Sequence, residues 1–277
     1  MLGAIIGDIV GSRFEWKEWK SKEFVFLTDA CNFTDDSLTT LGIARAFVLN
    51  RGKWYASDFQ QCVVDSMLYV AKPYLNRHFW GAKFYQWLTK SQTPYNSWGN
   101  GSAMRVSSVG WIADSEKEVK YFSKLVTEIS HNHPEGIKGA EAVAMAIYLA
   151  RTGVDMATIR DRMIEYYPLI ATMTVDKIRP GYEIDDKGDF ISCQGSVPEA
   201  IVCFLEATSF EDAVRNAISL GGDADTQAAI TGSMAEAYFG VPYELEDQIL
   251  TYLPDDLQSI YYSFGTVRKK RVPRVQK

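Results

Sequence analysis

The sequence predicts an all-α fold in a single compact domain. Apolar residues recur at helical spacing through most of the chain, signals for strands are weak, and regular alternation of strands with helices is absent. The 277 residues are 47% hydrophobic, which is enough to bury one large core. We expect residues 1–267 to form this domain and residues 268–277 to form a basic, flexible C-terminal tail.

Helical patterns follow one another along the chain. The first segment has glycines at positions 3, 7 and 11, which predicts a helix packed closely against a neighbour through its glycine face. Further helices are predicted over residues 37–50, 139–151, 198–208, 210–220 and 225–239. The segment 139–151 is apolar nearly all round and is predicted to lie in the core.

Other local patterns are weaker. Short strands are possible only over residues 23–27 and 188–193, and the polar run 185–189 predicts a turn. The segment 198–208 opens with Pro198, a residue that favours the first turn of a helix. The last of the predicted helices stops at Gly240, with Pro242 just beyond.

Composition excludes several classes of function. A net charge of −6 and a pI near 5.2 argue against a duplex nucleic acid as the default partner, because phosphate binding needs a basic face. The four cysteines lack the CxxC spacing of a zinc knuckle and suggest no disulfide framework. The sequence shows neither a signal peptide nor a run that would span a bilayer, so we expect a cytoplasmic location.

Two acidic clusters point to a metal site. Thr34-Asp35-Asp36 and Asp223-Ala224-Asp225-Thr226 each place two carboxylates and a hydroxyl at the start of a predicted helix. Each cluster by itself is also compatible with simple N-capping. Together the two clusters offer six hard oxygen side chains, the ligand type of Mg²⁺ or Mn²⁺. If the two clusters meet in space, the sequence predicts a metal-dependent enzyme.

Three more stretches are candidates. Glu15 follows the first helical segment and lies among aromatic residues. It could form a salt bridge, coordinate a metal, or act as a general acid or base. His131 and His133 precede a proline; they are loop residues or metal ligands, and His131 is preferred as a substrate contact. The third is a turn of small residues whose backbone N–H groups suit a phosphate or a plain tight turn. This turn comprises Gly99, Asn100, Gly101, Ser102, Ala103 and Met104.

Several common catalytic motifs are missing from the sequence. The turn at residues 99–104 lacks the Gly-Lys-Ser/Thr ending of a P-loop, and it is not a GxGxxG fingerprint. There is no GxSxG elbow for a serine nucleophile, and no cysteine has recognisable catalytic surroundings. Nucleophilic catalysis by a triad is therefore disfavoured.

Taken together, the motifs resemble the ADP-ribosylglycohydrolases, the family of the dinitrogenase-reductase-activating glycohydrolase and the vertebrate ADP-ribosyl-acceptor hydrolases. The motifs occur in the order of the family and extend over nearly the whole chain. Ser37 departs from the pattern, because threonine is frequent at this position in the family. The matching stretches are residues 7–15 (GDIVGSRFE), 33–37 (FTDDS), 99–105 (GNGSAMR), His131, 139–140 (GA), 197–200 (VPEA) and 221–226 (GGDADT).

The resemblance implies a fold and a reaction. It implies a multi-helix domain with a dinuclear Mg²⁺ or Mn²⁺ centre in a central cleft, and hydrolysis of the bond between ADP-ribose and an acceptor. Glu15 would match the mobile glutamate of the family and act in catalysis with Asp35 and Asp36, and residues 99–104 with His131 would hold the pyrophosphate. The implied metal ligands are Thr34, Asp35, Asp36, Asp223, Asp225 and Thr226.

The partner implied is an ADP-ribosylated substrate, with a mono-ADP-ribosylated protein side chain as the first expectation. Another ADP-ribose conjugate, such as O-acetyl-ADP-ribose or ADP-ribosylated nucleic acid, and a non-catalytic ADP-ribose binder are the alternatives. The acidic residues are all retained, which argues against a binder without activity. The sequence leaves open the acceptor, the choice between Mg²⁺ and Mn²⁺, and the oligomeric state.

Overall fold

The computed structural model describes residues 1–184 and 189–273. Over these residues the secondary structure consists of α-helices and short 3₁₀ segments, so the prediction of an all-α fold is confirmed. The α-helices are α1 (Leu2–Gly11), α2 (Asp35–Leu49), α3 (Phe59–Ala71), α4 (Ala82–Thr89), α5 (Gly101–Met104), α6 (Ser107–Ile112), α7 (Glu116–Thr127), α8 (Pro134–Arg151), α9 (Met156–Tyr166), α10 (Val175–Ile178), α11 (Cys193–Leu205), α12 (Phe210–Ile218), α13 (Ala224–Phe239), α14 (Tyr243–Leu250) and α15 (Asp255–Gly265).

Both strand predictions were wrong. Residues 23–27 form no regular structure, and residues 189–191 form a 3₁₀ turn that leads into α11. The described backbone contains no β-strand, and its β-type pairing is limited to two isolated antiparallel bridges, Lys17 with Gly222 and Gly99 with Ser192. Alternation of residue types is not sufficient for a strand when the pairing with a neighbouring segment is limited to a single bridge, as at Ser192. The turn predicted over residues 185–189 falls mostly on residues 185–188, outside the described ones.

Helix α11 begins earlier than the sequence predicts. Ser192 caps it by accepting a hydrogen bond from the Gly195 N–H at 3.0 Å, so Pro198 lies inside the helix rather than in its first turn. The cost of the proline is the one backbone hydrogen bond that its missing N–H cannot make. A well-placed serine cap thus determines where this helix begins.

The centre of the fold is the contact between α1 and α13. A Cβ atom built on Gly3 would lie 2.0 Å from the carbonyl oxygen of Gly232, and one on Gly7 would lie 2.0 Å from that of Ala228. On Gly11 it would lie 2.5 Å from the Cα atom of Asp225. The predicted glycine face is therefore confirmed, and it presses α1 directly onto the first turn of α13.

This close packing positions the acidic segments. Helix α1 carries the buried Asp8, α2 begins at Asp35, and α13 begins one residue after Asp223. The N-terminal ends of α2 and α13 thus meet beside α1. Helix α8, which was predicted to be central, is buried along most of its length and packs behind this group against α5, α6 and α13.

Part of the basic C-terminal segment lies against the domain. The Lys269 N–H donates to the Trp111 carbonyl and the Val272 N–H to the Arg151 carbonyl, both at 2.8 Å, and Arg268 pairs with Glu236 at 3.2 Å. Residues 268–272 are therefore attached to the helices, whereas residues 274–277 lie outside the described ones. No helix in the described ranges combines the length and the apolar character needed to cross a bilayer.

The packing of α1 on α13 predicts the effect of adding one methyl group. We expect Gly7→Ala to lower the free energy of unfolding by about 3 kcal/mol or more, because neither backbone can move away without separating the two helices. Gly265→Ala is the matched control, since a Cβ atom there meets nothing within 4 Å. Urea unfolding of both variants tests this, and equal midpoints would contradict the packing account.

Candidate metal and substrate site

Asp8 organises the start of α2. Its side chain is fully buried and accepts hydrogen bonds from the Thr34 N–H at 2.9 Å, the Thr34 hydroxyl at 2.6 Å and the Ser37 N–H at 3.0 Å. Three donors on one carboxylate secure the turn that precedes Asp35 and Asp36. Sequence analysis did not single out Asp8, although an aspartate within an apolar, glycine-rich helix is a recognisable signal, because such a charge is buried only with partners.

The two acidic clusters meet in space. The Thr226 hydroxyl donates to Asp36 Oδ2 at 3.2 Å across 190 residues of sequence. Carboxylate oxygens of Asp8, Asp36 and Asp225 lie within 4.8 Å of one another, and so do those of Glu15, Asp223 and Asp225. Asp225 belongs to both groups, so the acids form one continuous cluster.

The capping alternative holds for only one of the two clusters. Thr34 does cap α2, since its hydroxyl oxygen accepts from the Asp36 N–H at 3.4 Å. Asp223 is the residue before α13 but makes no capping bond with its side chain, which instead accepts from Asn100 Nδ2 at 2.6 Å. Capping therefore does not explain the carboxylate of Asp223, whereas Asp225 Oδ1 accepts from the Thr226 N–H at 2.9 Å in the first turn of α13.

Glu15 is brought to the cluster by a backbone clamp. The Trp16 N–H donates to the Gly222 carbonyl at 2.8 Å, and the Gly222 N–H donates to the Lys17 carbonyl at 3.2 Å. Gly221 and Gly222 adopt φ angles of 79° and 71°, which glycine tolerates without cost. The loop that carries Glu15 is thus attached to the turn that carries Asp223.

Burial and mutual repulsion dominate the electrostatics of the cluster. Burial first, and then the neighbouring carboxylates, raise the pKa of Asp35, Asp36 and Asp225 well above the ordinary value. Burial, followed by repulsion from Asp223, raises the pKa of Glu15 to about 7. None of these acids has a lysine or arginine within salt-bridge distance in the described part of the chain.

The arrangement fits divalent cations. Asp36 Oδ1 is buried and has no hydrogen-bond partner, which is costly unless another group, such as a cation, contacts it. The surrounding donors are carboxylate and hydroxyl oxygens, which suit Mg²⁺ or Mn²⁺ rather than a softer metal. Of the expected ligands, Asp35, Asp36, Asp223, Asp225 and Thr226 line a cavity, whereas the Thr34 hydroxyl lies behind it on Asp8.

The same cavity, of about 340 Å³, also borders the small-residue turn. Gly99, Asn100, Gly101, Met104 and His131 line it, and Ser102 and Ala103 are buried behind it. A Cβ atom at position 101 would lie 3.1 Å from His131 Nε2, so glycine allows the ring to approach the backbone closely. The wall also includes Phe84, Tyr95 and Arg105, which were not among the predicted site residues, although Arg105 lies in the motif at residues 99–105.

A family model described as ADP-ribosylglycohydrolase matches residues 1–264. The chain belongs to the ADP-ribosylglycohydrolase family. This confirms the resemblance drawn from the motifs, and the family is one of hydrolytic enzymes.

Individual relatives match at low sequence identity but over most of the length of both chains. The chain is 24% identical to the ADP-ribosylhydrolase ARH3 of Mus musculus, over 87% of this chain and 83% of that protein. It is 23% identical to the ADP-ribosylarginine hydrolase Tri1 of Pseudomonas putida (strain GB-1), over 87% and 70% of the two chains. A solved structure titled ADP-ribosylglycohydrolase-related protein complex shares the fold, with a TM-score of 0.65, 20% identity and coverage of 96% and 95%.

The raised pKa values predict how the stability of this glycohydrolase depends on pH. Each acid binds protons more tightly when folded than when unfolded, so the metal-free protein should lose stability as the pH rises above the ordinary carboxyl pKa and through the raised pKa of Glu15, which is about 7. A divalent cation should reverse the loss and add about 2.7 kcal/mol at about 100 times its Kd. Thermal unfolding with chelator, Mg²⁺ or Mn²⁺ at each pH tests this. Identical curves with chelator and cation would contradict it.

Proposed function

We propose that this protein hydrolyses the glycosidic bond between ADP-ribose and an acceptor, using two divalent cations, Mg²⁺ or Mn²⁺. The observation that carries the proposal is the convergence of the two acidic clusters on one wall of a cavity whose other wall is the glycine turn with His131. The proposed ligands are Asp35, Asp36, Asp223, Asp225 and Thr226, which line the cavity, and Asp8 supports Asp35 and Asp36 by binding Thr34 and Ser37 on either side of them. The volume of the cavity is suited to the ADP-ribose portion of such a substrate.

The acceptor we propose is a side chain of a mono-ADP-ribosylated protein. Support comes from the relatives, of which ARH3 is an ADP-ribosylhydrolase and Tri1 an ADP-ribosylarginine hydrolase.

Each group in the cavity has a separate role in the proposed reaction. Bound cations would supply a Lewis acid and lower the pKa of a coordinated water. Glu15 faces the cluster with a pKa raised to about 7, so it can both take a proton from water and give one to the leaving group near neutral pH. The backbone of the glycine turn and His131 would orient the pyrophosphate. Asn100 joins the two walls, because it belongs to the turn and donates to Asp223.

Removing the proton-transfer group tests the role of Glu15. We expect Glu15→Gln to lower kcat by about 10² to 10⁴-fold, the usual contribution of general acid–base catalysis, while metal content and ADP-ribose binding are retained. Release of ADP-ribose from an ADP-ribosylated arginine peptide, with metal content measured alongside, checks this. Turnover close to that of the wild type would refute the catalytic role.

Removing the ligands tests the metal centre separately. We expect a folded Asp35→Ala/Asp225→Ala double variant to lose bound cation and all turnover, since one carboxylate is removed from each cluster. Each protein is assayed on arginine-linked, serine-linked, O-acetyl and nucleic-acid-linked ADP-ribose, with Mg²⁺, Mn²⁺ or chelator. An unchanged metal content would exclude the site, and tight ADP-ribose binding without turnover on any substrate would favour a binder.

A further inference from the structure

Arg105 is a buried cation without a buried counter-ion. Its side chain is 1% exposed, it lines the cavity, and no carboxylate in the described residues lies within salt-bridge distance of it. Its Nε atom has no partner, and its guanidinium lies 5.2 Å from the centroid of the Phe84 ring. A buried, unpaired charge is costly, so its retention beside a cavity suggests a role there.

A short relay connects Arg105 to His131. Arg105 Nη2 donates to Ser130 Oγ at 2.6 Å, and Ser130 Oγ lies 2.8 Å from His131 Nδ1. Arg105 Nη2 also lies 3.5 Å from the same Nδ1 atom. Both groups therefore approach His131 from its Nδ1 side. Its Nε2 atom faces the turn, 3.1 Å from the position of a Cβ atom on Gly101.

The donor and the acceptor in each hydrogen bond of this relay follow from the protons that each side chain carries. Arginine can only donate, so the Ser130 oxygen is an acceptor from Arg105, and its own proton needs a separate acceptor. In the described part of the chain, His131 Nδ1 is the atom within reach of that proton. If Nδ1 carried a proton instead, the serine proton would be unpaired and an N–H would point at the guanidinium. The arrangement that satisfies every group has Nδ1 as the acceptor, which leaves the proton on Nε2.

We propose that Arg105, acting through Ser130, holds His131 as the neutral Nε2–H tautomer, so that His131 donates a hydrogen bond to a pyrophosphate oxygen of ADP-ribose. This inference rests on the proposed function and assigns Arg105 and Ser130 as positioning residues. A charged imidazolium is disfavoured here because burial and the nearby guanidinium both lower the pKa of His131 well below its usual value. The positive charge near the pyrophosphate then resides on Arg105, and the neutral His131 contributes a directional hydrogen bond from Nε2–H.

The tautomer can be read directly by NMR of ¹⁵N-labelled, full-length protein near pH 7.5. The chain has only three histidines, His78, His131 and His133, and a His131→Gln variant assigns the signal. His133 serves as an internal reference, because its Nδ1 accepts from the Glu135 N–H at 3.1 Å. We expect the nitrogen shifts of His131 to show a protonated Nε2 and an unprotonated Nδ1. A proton on Nδ1 would overturn the proposal.

Variants separate positioning from general stability. We expect Arg105→Met to give a mixture of His131 tautomers and to weaken ADP-ribose binding by about 10- to 100-fold in calorimetry, the range for a lost hydrogen bond to a charged group. Arg105→Lys should restore much of both, since an ammonium group can still donate to Ser130. Arg151→Met is the matched control, because Arg151 is also buried but donates to the Gly110 and Ala113 carbonyls, far from the cavity wall.

The outcomes distinguish this inference from the proposed function. An unchanged tautomer in Arg105→Met, or an equal change in Arg151→Met, would overturn the relay whatever the enzyme hydrolyses. If the wild type shows the expected tautomer but does not bind ADP-ribose, the proposed function and the pyrophosphate contact both fail, and the relay alone is retained. A loss of binding in Arg105→Met without rescue in Arg105→Lys would reduce Arg105 to a structural role.

Discussion

The structure depends on holding carboxylates together that repel one another. Asp8, Asp36 and Asp225 approach within 4.8 Å without a basic partner in the described part of the chain. The close packing of α1 on α13 compensates for this repulsion, because its glycines bring the helix axes together and press Gly11 onto Asp225. The three hydrogen bonds to Asp8 then place the start of α2 at the same point. Packing of apolar helices thus supplies the free energy that the acidic centre costs.

That cost is the physical reason for proposing that the cluster binds cations. Carboxylates that are buried and unpaired bind protons or metal ions in preference to remaining charged and alone. The same environment raises the pKa of Glu15 to about 7, where a carboxyl group exchanges protons readily near neutral pH. In the proposed function, cation binding, pH-dependent stability and proton transfer would all follow from one local electrostatic arrangement.

The two walls of the cavity are chemically opposite but structurally joined. One wall carries acidic oxygens, and the other carries backbone and side-chain donors, including the buried Arg105. Asn100 links the walls by its bond to Asp223, and Met104 accepts a weak bond from Thr226 at 3.7 Å. A substrate with an anionic centre and a hydroxyl-rich sugar has matching partners on both sides.

The sequence by itself determined the helical class, the glycine face of α1 and the residue types at the acidic clusters, because periodicity and local chemistry depend only on residues that are close in sequence. It also allowed the family to be recognised from short motifs in order. Only the tertiary structure decided that Asp223 bonds to Asn100 rather than capping α13, that Asp8 supports Thr34, and that Ser130 lies between Arg105 and His131. These contacts join residues brought together by packing, and a sequence pattern carries no information about which distant side chains become neighbours once the core is buried.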